Sequence, residues 1–360
     1  MTTDATRSAT YREILQQPEI WTGWSQDFAA DAARLKAWIA GLDITEIWLS
    51  GAGTSAFIGD MLAACLGRFR GVPIRSVPST DLVSTPRGFA HAGVRPLVIS
   101  FGRSGNSAES IGTLDVLDAL FPNAARLNIT CNRQSVLATR GGGAATKTVI
   151  LPEACHDAGF AMTSSFSTMV ITAAMILSDR GPAAFAELAA SVDLDRLTEV
   201  AAATPRPKRA VFVGSGSLAF AAREAALKVM ELAAGQIPAL WDSCLGFRHG
   251  PKSFVMPGTR IFAFLSTDAH TRRYDDDLVA ELRDQFGADT VTSLGAGGDV
   301  SCPAALDDDL LIGLWGLVLA QLLAVHWSAA LGLNIDDPFA GAGTLTRVVS
   351  GVTLYPIEAS

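Results

Sequence analysis

Residues 46–56, EIWLSGAGTSA, join a short apolar run to a glycine-rich turn and the start of a helical pattern. Glu46–Ser50 has the length and composition of a buried strand, and Ala56–Leu66 repeats its apolar residues at helical spacing. Gly51 and Gly53 stand between the two segments, where they predict a tight turn. The stretch therefore predicts a strand, a glycine turn and a helix, which is the repeating unit of an α/β fold.

The same unit recurs along the chain. The run Pro96–Ser100 is followed by the turn GRSGNS and a helical pattern, and Arg209–Val213 is followed by the turn GSGS and a helix over Leu218–Ala233. Further strands are predicted at Ala125–Thr130, Thr148–Leu151 and Arg260–Leu265. Strands that alternate with helices predict parallel sheets with right-handed crossovers and ligands at the carboxyl ends of the strands. We expect two tandem, doubly wound parallel-sheet domains of the three-layer α/β/α, flavodoxin-like kind.

The 360-residue length suits two domains rather than one core. Prolines at 205 and 207 are typical of a linker between the two rounds of the pattern. The predicted organisation is N-terminal helices at 1–40, a first α/β domain at 41–185, a linker at 186–207, a second α/β domain at 208–335 and a C-terminal tail at 336–360.

The composition excludes several classes of function. A formal net charge of −8 argues against a sequence-independent grip on nucleic acid or on an anionic membrane surface, since both need clustered Lys and Arg. The five cysteines are scattered and form no CxxC pair, so neither a zinc site nor a disulfide framework is expected. Residues 1–17 are polar and lack the apolar core of a signal peptide, which predicts a cytoplasmic protein with reduced thiols.

Leu310–Leu331 runs for 22 residues without a charge, long enough to span a bilayer. Gln321, His326 and Ser328 interrupt the run, and no basic cluster flanks it. We expect a buried helix rather than a membrane span.

The turns after the predicted strands Glu46–Ser50 and Pro96–Ser100 carry hydroxyl side chains. Thr54 and Ser55 stand where a helix dipole favours an anion, although GAGTSA also fits a dinucleotide pattern and such residues often only cap helices. The turn Arg103–Ser107 offers hydroxyls at the equivalent place, and no acidic residue ends the second strand near 74–77, as a dinucleotide site would require. Two converging turns of this kind predict a phosphate site. The second domain's turn, Gly214–Ser217, is expected to be structural.

Glu224, Lys228 and Glu231 lie at i, i+4 and i+7, on one face of a predicted helix. This spacing is common in solvated ion-pair faces and also suits a catalytic group. His249 follows in the turn RHGP.

These residues resemble those of the sugar isomerase (SIS) domain family, whose phosphosugar site combines a GTS turn with an S-x-S-G-x-S/T turn. The first serine of the second turn is Gly102 here. Residues 160–166, FAMTSSF, the opening EILQQPEIW and the tail motif at 344–352 are similar to the AgaS branch of the family. The resemblance implies phosphosugar binding by Gly53, Thr54, Ser55, Arg103, Ser104, Gly105, Asn106, Ser107, Thr163, Ser164 and Arg347.

The resemblance also implies catalytic roles. Relatives that interconvert aldoses and ketoses carry E-x-x-x-K-x-x-E and a KHGP turn at these places. Glu231 matches the group that moves a proton between C1 and C2, and His249 matches the ring-opening group that a neighbouring subunit donates. Glu224 and Lys228 match supporting charges. Arg347 stands where the glutamine-dependent synthase of the family has a lysine that forms an imine with the ketose, and an arginine cannot form one. The sequence contains no glutaminase domain that would generate ammonia from glutamine. The resemblance therefore implies that ammonia is released rather than added.

The expected function is therefore conversion of a hexosamine 6-phosphate, galactosamine 6-phosphate first, to a ketose 6-phosphate and ammonia. A plain aldose–ketose isomerase, action on glucosamine 6-phosphate and a non-catalytic sugar-phosphate sensor are the alternatives. The sensor is disfavoured because no helix-turn-helix precedes Gly51. No metal or cofactor is expected, and the resemblance implies a homodimer with shared active sites.

Overall fold

The computed structural model describes residues 4–142, 145–342, 345–347 and 351–357. The chain divides into two compact units, each with one sheet. The six-stranded unit comprises Ile20–Asp157, Ser164–Pro182 and Thr344–Ser360, and the four-stranded unit comprises Met1–Glu19, Ala158–Thr163 and Ala183–Gly343.

The sheet of the six-stranded unit contains six strands: β1 Glu46–Ser50, β2 Arg68–Phe69, β3 Val72–Ser76, β4 Pro96–Gly102, β5 Ala125–Thr130 and β6 Thr146–Ile150. Its helices are α2 Gln17–Ala40, which begins in the other unit's residues, α3 Thr54–Leu66, α4 Ser79–Ser84, α5 Ala108–Leu120, α6 Val136–Thr139 and α7 Ser164–Leu177. The four-stranded unit contains β7 Arg209–Gly214, β8 Ala239–Ser243, β9 Thr259–Phe264 and β10 Val291–Leu294, with α1 Ala9–Leu15, α8 Pro182–Ser191, α9 Leu194–Ala203, α10 Ser217–Leu232, α11 Ala269–Phe286 and α12 Asp309–Ala330.

Both sheets follow one topology. The parallel strands of the first sheet lie in the order β3-β1-β4-β5-β6, with the short β2 added antiparallel to β3. The second sheet has the parallel order β8-β7-β9-β10, which repeats the first four positions of the first sheet. This is the flavodoxin-like order, so the predicted fold class is confirmed.

The predicted elements form because their apolar runs are covered on both faces. All seven residues of β4 and all six of β5 are buried, as expected of central parallel strands in a three-layer fold. Trp48 and Val98, on adjacent strands, pack with Val116 and Leu117 of α5 in one apolar cluster. The strand ends that carry the predicted turns are therefore held on a rigid base.

The structure differs from the predicted organisation between the two rounds. Residues 186–207, predicted as a linker, are mostly helical, because Asp193 caps α9 through the Arg196 N–H and the apolar side chains of Leu188 and Leu197 are buried. The described part of the predicted tail divides: residues 336–342 belong to the four-stranded unit, and 345–347 and 351–357 to the six-stranded unit. Residues 344 and 348–350 of the tail motif lie outside the described residues.

The uncharged segment predicted as a buried helix is α12. It is the helix within the described ranges that is long and apolar enough to cross a membrane, and 94% of its most apolar window is buried inside the protein. It packs on α9 and α10, and Trp327 donates a hydrogen bond from Nε1 to the Thr204 carbonyl. We conclude that α12 is a core helix of the four-stranded unit.

Candidate active site

The first predicted phosphate turn, Gly51–Ser55, connects β1 to α3. A Cβ at Gly51 would lie 2.6 Å from the carbonyl carbon of Ser55, so only glycine fits there. Gly53 has φ of 56° and ψ of −130°, a conformation that glycine adopts without strain. Thr54 and Ser55 begin α3 and are each 5% exposed. The turn places two hydroxyl groups at the positive end of a helix dipole, where an anion is favoured.

The second turn, Arg103–Ser107, connects β4 to α5. Ser107 caps α5 by accepting a hydrogen bond from the Ser110 N–H at 3.2 Å, and Ser104 Oγ accepts one from the Asn106 N–H at 3.3 Å. Asn106 Oδ1 accepts from the Val136 N–H at 2.8 Å, which ties the turn to α6. Gly105 has φ of 61°. Asn106 and Gly105 therefore shape the turn, while Ser104 and Ser107 supply its hydroxyl groups.

The two turns follow neighbouring strands. β1 and β4 pair in parallel with Ser50 opposite Ser100, so the turns leave the same edge of the sheet. The crossovers to β3 and to β5 run in opposite directions from this pair, which makes the gap between β1 and β4 the topological switch point. Ligands of open parallel sheets bind at this position.

Asp157 connects the start of α7 to the predicted residue Arg347 in the six-stranded unit, through its carboxylate on one side and its main-chain carbonyl on the other. Asp157 accepts hydrogen bonds from the Ser164 N–H at 3.0 Å and from the N–H and hydroxyl groups of Ser165, so it caps the start of α7. Arg347 donates to the Asp157 carbonyl, and Arg103 donates to the Arg347 carbonyl at 3.2 Å. The structure thus brings Arg103, Ser164 and Arg347 together. Thr163 belongs to the four-stranded unit and is fully buried.

The predicted catalytic helix is α10, in the four-stranded unit. Lys228 Nζ lies 3.2 Å from Glu224 Oε1 and 2.6 Å from Glu231 Oε2. The side chains of Glu224 and Lys228 are 0% exposed and that of Glu231 is 22% exposed. Burial disfavours the charged form of Lys228, but the two carboxylates outweigh it and raise the pKa of Lys228 above its ordinary value. The cluster is a buried charge triad that presents one carboxylate, rather than a solvated ion-pair face.

The predicted histidine turn lies after β8, within the same unit. His249 ends a 3-10 turn, Gly246–His249, and is exposed. Gly250 follows with φ of 131°, which turns the chain sharply. Arg248 and Lys252 both form ion pairs with Glu281 of α11, and Lys252 first, then Arg248, lowers the pKa of that carboxyl group.

Carboxylate side chains of the protein occupy the switch point of the second sheet. Ser215 donates from its hydroxyl group to Asp275 Oδ1 at 2.6 Å, and the Ser266 N–H donates to Asp275 Oδ2 at 2.9 Å. Asp309 accepts hydrogen bonds from the hydroxyl group of Ser266 and the N–H of Thr267, each at 2.7 Å. Burial raises the pKa of Asp275. Protein carboxylates therefore occupy hydrogen-bond donors of Ser215, Ser266 and Thr267 at this position, which favours a structural role for the turn.

The sequence interpretation missed Asp157, Glu281 and Asp275. Each of them bonds a partner at a separation that no local motif has. Asp157 caps α7 from seven residues before it, which is farther than an ordinary N-cap residue. Glu281 is 33 residues from Arg248, and Asp275 is 60 residues from Ser215. No local pattern marks them. Among the described residues, no cluster of three or more His, Cys, Asp or Glu side chains could hold a metal ion.

The chain is similar to known proteins over almost its whole length, although no family model matches it. The AgaS protein of Streptomyces coelicolor is 39% identical, covering 97% of this chain and 96% of the relative. The D-galactosamine-6-phosphate deaminase AgaS of a Shewanella species is 36% identical over 96% of this chain and 92% of its own length. The crystal structure of the Escherichia coli tagatose-6-phosphate ketose/aldose isomerase superposes with a TM-score of 0.88 at 34% identity, covering 99% of this chain and all of the other.

Proposed function

From the premise that the chain belongs to the AgaS family of sugar isomerase (SIS) domain proteins, we propose that it is a D-galactosamine-6-phosphate deaminase. The reaction consumes water and converts the hexosamine 6-phosphate to tagatose 6-phosphate and ammonia. The protein acts as a cytoplasmic homodimer on a small phosphosugar, and nucleic acid and membranes are not its partners.

The residue types account for the chemistry. Opening of the sugar ring needs a proton at the ring oxygen, which a histidine can supply near neutral pH; we assign this step to His249. A carboxylate then removes the C2 proton and delivers a proton to C1 through an enolamine, which leaves an imine at C2; we assign this step to Glu231. Water adds to the imine carbon, and ammonia leaves as the ketone forms. The hydroxyl groups of Thr54, Ser55, Ser104 and Ser107 hold the phosphate meanwhile.

One observation carries this proposal: the buried triad of α10 leaves Glu231 partly exposed while Glu224 and Lys228 are fully enclosed. A solvated ion-pair helix would expose all three charges. Burial of two charges costs free energy that a surface pair avoids, so the arrangement favours a functional carboxylate over an ordinary surface pattern.

A plain aldose–ketose isomerase is the second candidate, since the similar E. coli structure carries that name. The two reactions share the proton transfer between C1 and C2 and differ only in whether nitrogen leaves.

Purified protein should be incubated separately with galactosamine 6-phosphate, glucosamine 6-phosphate and tagatose 6-phosphate, while ammonia and ketose are measured independently. We expect equal amounts of ammonia and ketose from galactosamine 6-phosphate. Ketose–aldose conversion without ammonia supports the isomerase, and binding without turnover supports a sensor.

Removal of a phosphate-turn hydroxyl group should weaken substrate binding. Ser55→Ala and Ser104→Ala are each expected to cost roughly 1.5–3 kcal/mol, because each hydroxyl group donates a hydrogen bond to a charged phosphate. Calorimetric titration with tagatose 6-phosphate measures the change. Ser215→Ala is the matched control, since its hydroxyl group is taken by Asp275 and its loss should leave affinity unchanged. If Ser55→Ala and Ser104→Ala both bind with native affinity, the phosphate binds elsewhere.

The shared active site predicts complementation between inactive chains. Glu231→Gln chains and His249→Ala chains, each inactive alone, should regain activity when mixed, because a mixed dimer contains one site with both native groups. Subunit exchange is verified by mass spectrometry of differently tagged chains. Verified exchange with no recovery contradicts a site built from two subunits.

A further inference from the structure

The turn that carries His249 has little support within its own backbone. It consists of two 3-10 turns, Gly246–His249 and Pro251–Phe254, joined by Gly250 in a conformation that favours glycine. Hydrogen bonds in 3-10 turns have poorer geometry than those of α-helices, and such pieces are short. Phe247 anchors one side of the turn, since it is 0% exposed in the apolar core of the unit. His249 itself is exposed, so its orientation depends on what holds the residues around it.

Glu281 holds the chain on both sides of His249. Arg248 Nε donates to Glu281 Oε2 at 2.6 Å, and the Lys252 ammonium group donates to the other oxygen, Oε1. The carboxylate therefore joins the residue before the histidine to a residue three places after it. The side chains of Arg248, Lys252 and Glu281 are only 21–27% exposed, which reduces the screening of these pairs by water.

Glu281 lies on a helix whose neighbouring residues are buried in the apolar core. Leu278 and Leu282, on either side of it in α11, are buried in the same apolar cluster as Phe247. The helix and the turn thus share one apolar core, and outside that core the Glu281 carboxylate bonds the helix to the turn. Asp277, one turn earlier, lies 3.7 Å from Arg248 and is 78% exposed, so it contributes little to this connection.

We propose that Glu281 is a positioning residue, which fixes the His249 turn for ring opening by tying Arg248 and Lys252 to α11. The proposal rests on the proposed function, because it presumes that His249 acts on the substrate. A catalytic group must be held close to its productive position, and a misplacement of about 1 Å can cost roughly 10²-fold in rate. Neither charge pair touches the substrate in this account, so their loss should change turnover rather than binding.

Kinetic constants of three variants test the positioning role. Glu281→Ala is expected to lower kcat about 10- to 100-fold with KM nearly unchanged. Glu281→Gln keeps one acceptor oxygen and should fall between Glu281→Ala and the native enzyme. Asp277→Ala, on the same face of α11, is the matched control and should retain native kcat.

If Glu281→Ala does not fold, Lys252→Met, which removes one of the two ion pairs of Glu281, should give the same selective loss of kcat to a smaller degree. Native kcat in Glu281→Gln and Lys252→Met, or a loss confined to KM, overturns the proposal.

Subunit mixing separates this proposal from the proposed function. A Glu281→Ala chain should regain activity when mixed with a Glu231→Gln chain and should not when mixed with a His249→Ala chain, because its defect lies on the histidine side. Two outcomes overturn the role of Glu281 and leave the proposed function standing. In the first, the Glu281→Ala chain regains activity with His249→Ala chains instead. In the second, it regains activity with neither partner, although Glu231→Gln and His249→Ala chains complement each other. Native activity in His249→Ala alone overturns the proposed role of the histidine itself.

Discussion

Glu231→Gln should lower kcat by about 10²–10⁴ with substrate affinity nearly intact, because a general base contributes about that factor to rate. The substitution keeps the size of the side chain and leaves the Lys228–Glu224 ion pair in place. Steady-state kinetics with galactosamine 6-phosphate gives kcat, and calorimetric titration gives affinity. A carboxamide can neither take nor return the C2 proton, so the loss should appear in the chemical step.

Two controls guard this prediction. Thermal unfolding of Glu231→Gln should match the native protein within a few degrees, because the Glu231 side chain is partly exposed and its loss leaves Lys228 paired to Glu224. Asp277→Asn changes an exposed carboxylate elsewhere in the unit and should retain native kcat. Near-native turnover of Glu231→Gln means that another group moves the proton.

Lys228→Met should destabilise the protein by about 3–5 kcal/mol, because it leaves the fully buried carboxylate of Glu224 without its cation. Activity should also fall, since Glu231 loses the ammonium group that holds it at 2.6 Å. Chemical unfolding at pH 7–8 measures the stability. The pKa of Lys228 is raised, so its ion pairs contribute fully at pH values below the ordinary lysine pKa of about 10.4 and are lost only as the pH rises through the raised value.

A double substitution tests the origin of that loss. Lys228→Met with Glu224→Gln removes both fully buried charges, and it should recover much of the stability while activity stays low. Stability of Lys228→Met within about 1 kcal/mol of the native protein contradicts a buried charge triad, because exposed pairs contribute no more than that.

The sequence predicted the strand-to-helix turns well because glycine is required at specific places in them. Gly51 faces the Ser55 backbone, and Gly214 faces the backbone of Leu218 in the same way, at 2.6 and 2.7 Å for an added Cβ. Gly53 and Gly216 then share nearly the same φ, 56° and 58°. These constraints are local, so a pattern of a few residues reveals both turns and the repeat of one plan.

The burial of the α10 charges could not be predicted from spacing. Residues at i, i+4 and i+7 share a helix face whether that face meets water or protein, and the packing of distant elements decides between the two. α10 packs on α12, which lies about 80 residues later in the chain, and on β7 and β8. The same limit applies to Asp275, whose carboxylate fills the second switch point from a helix 60 residues beyond Ser215.

The most direct test of the account is an NMR measurement of galactosamine 6-phosphate incubated with the native enzyme in heavy water. Glu231 is partly exposed, so a proton held on its carboxyl group exchanges with solvent before it returns to carbon. We predict tagatose 6-phosphate with deuterium on C1, together with an equal amount of ammonia, and at least about 100-fold less of both products with Glu231→Gln at the same enzyme concentration and time. Unchanged galactosamine 6-phosphate after prolonged incubation with correctly folded native protein would contradict the account.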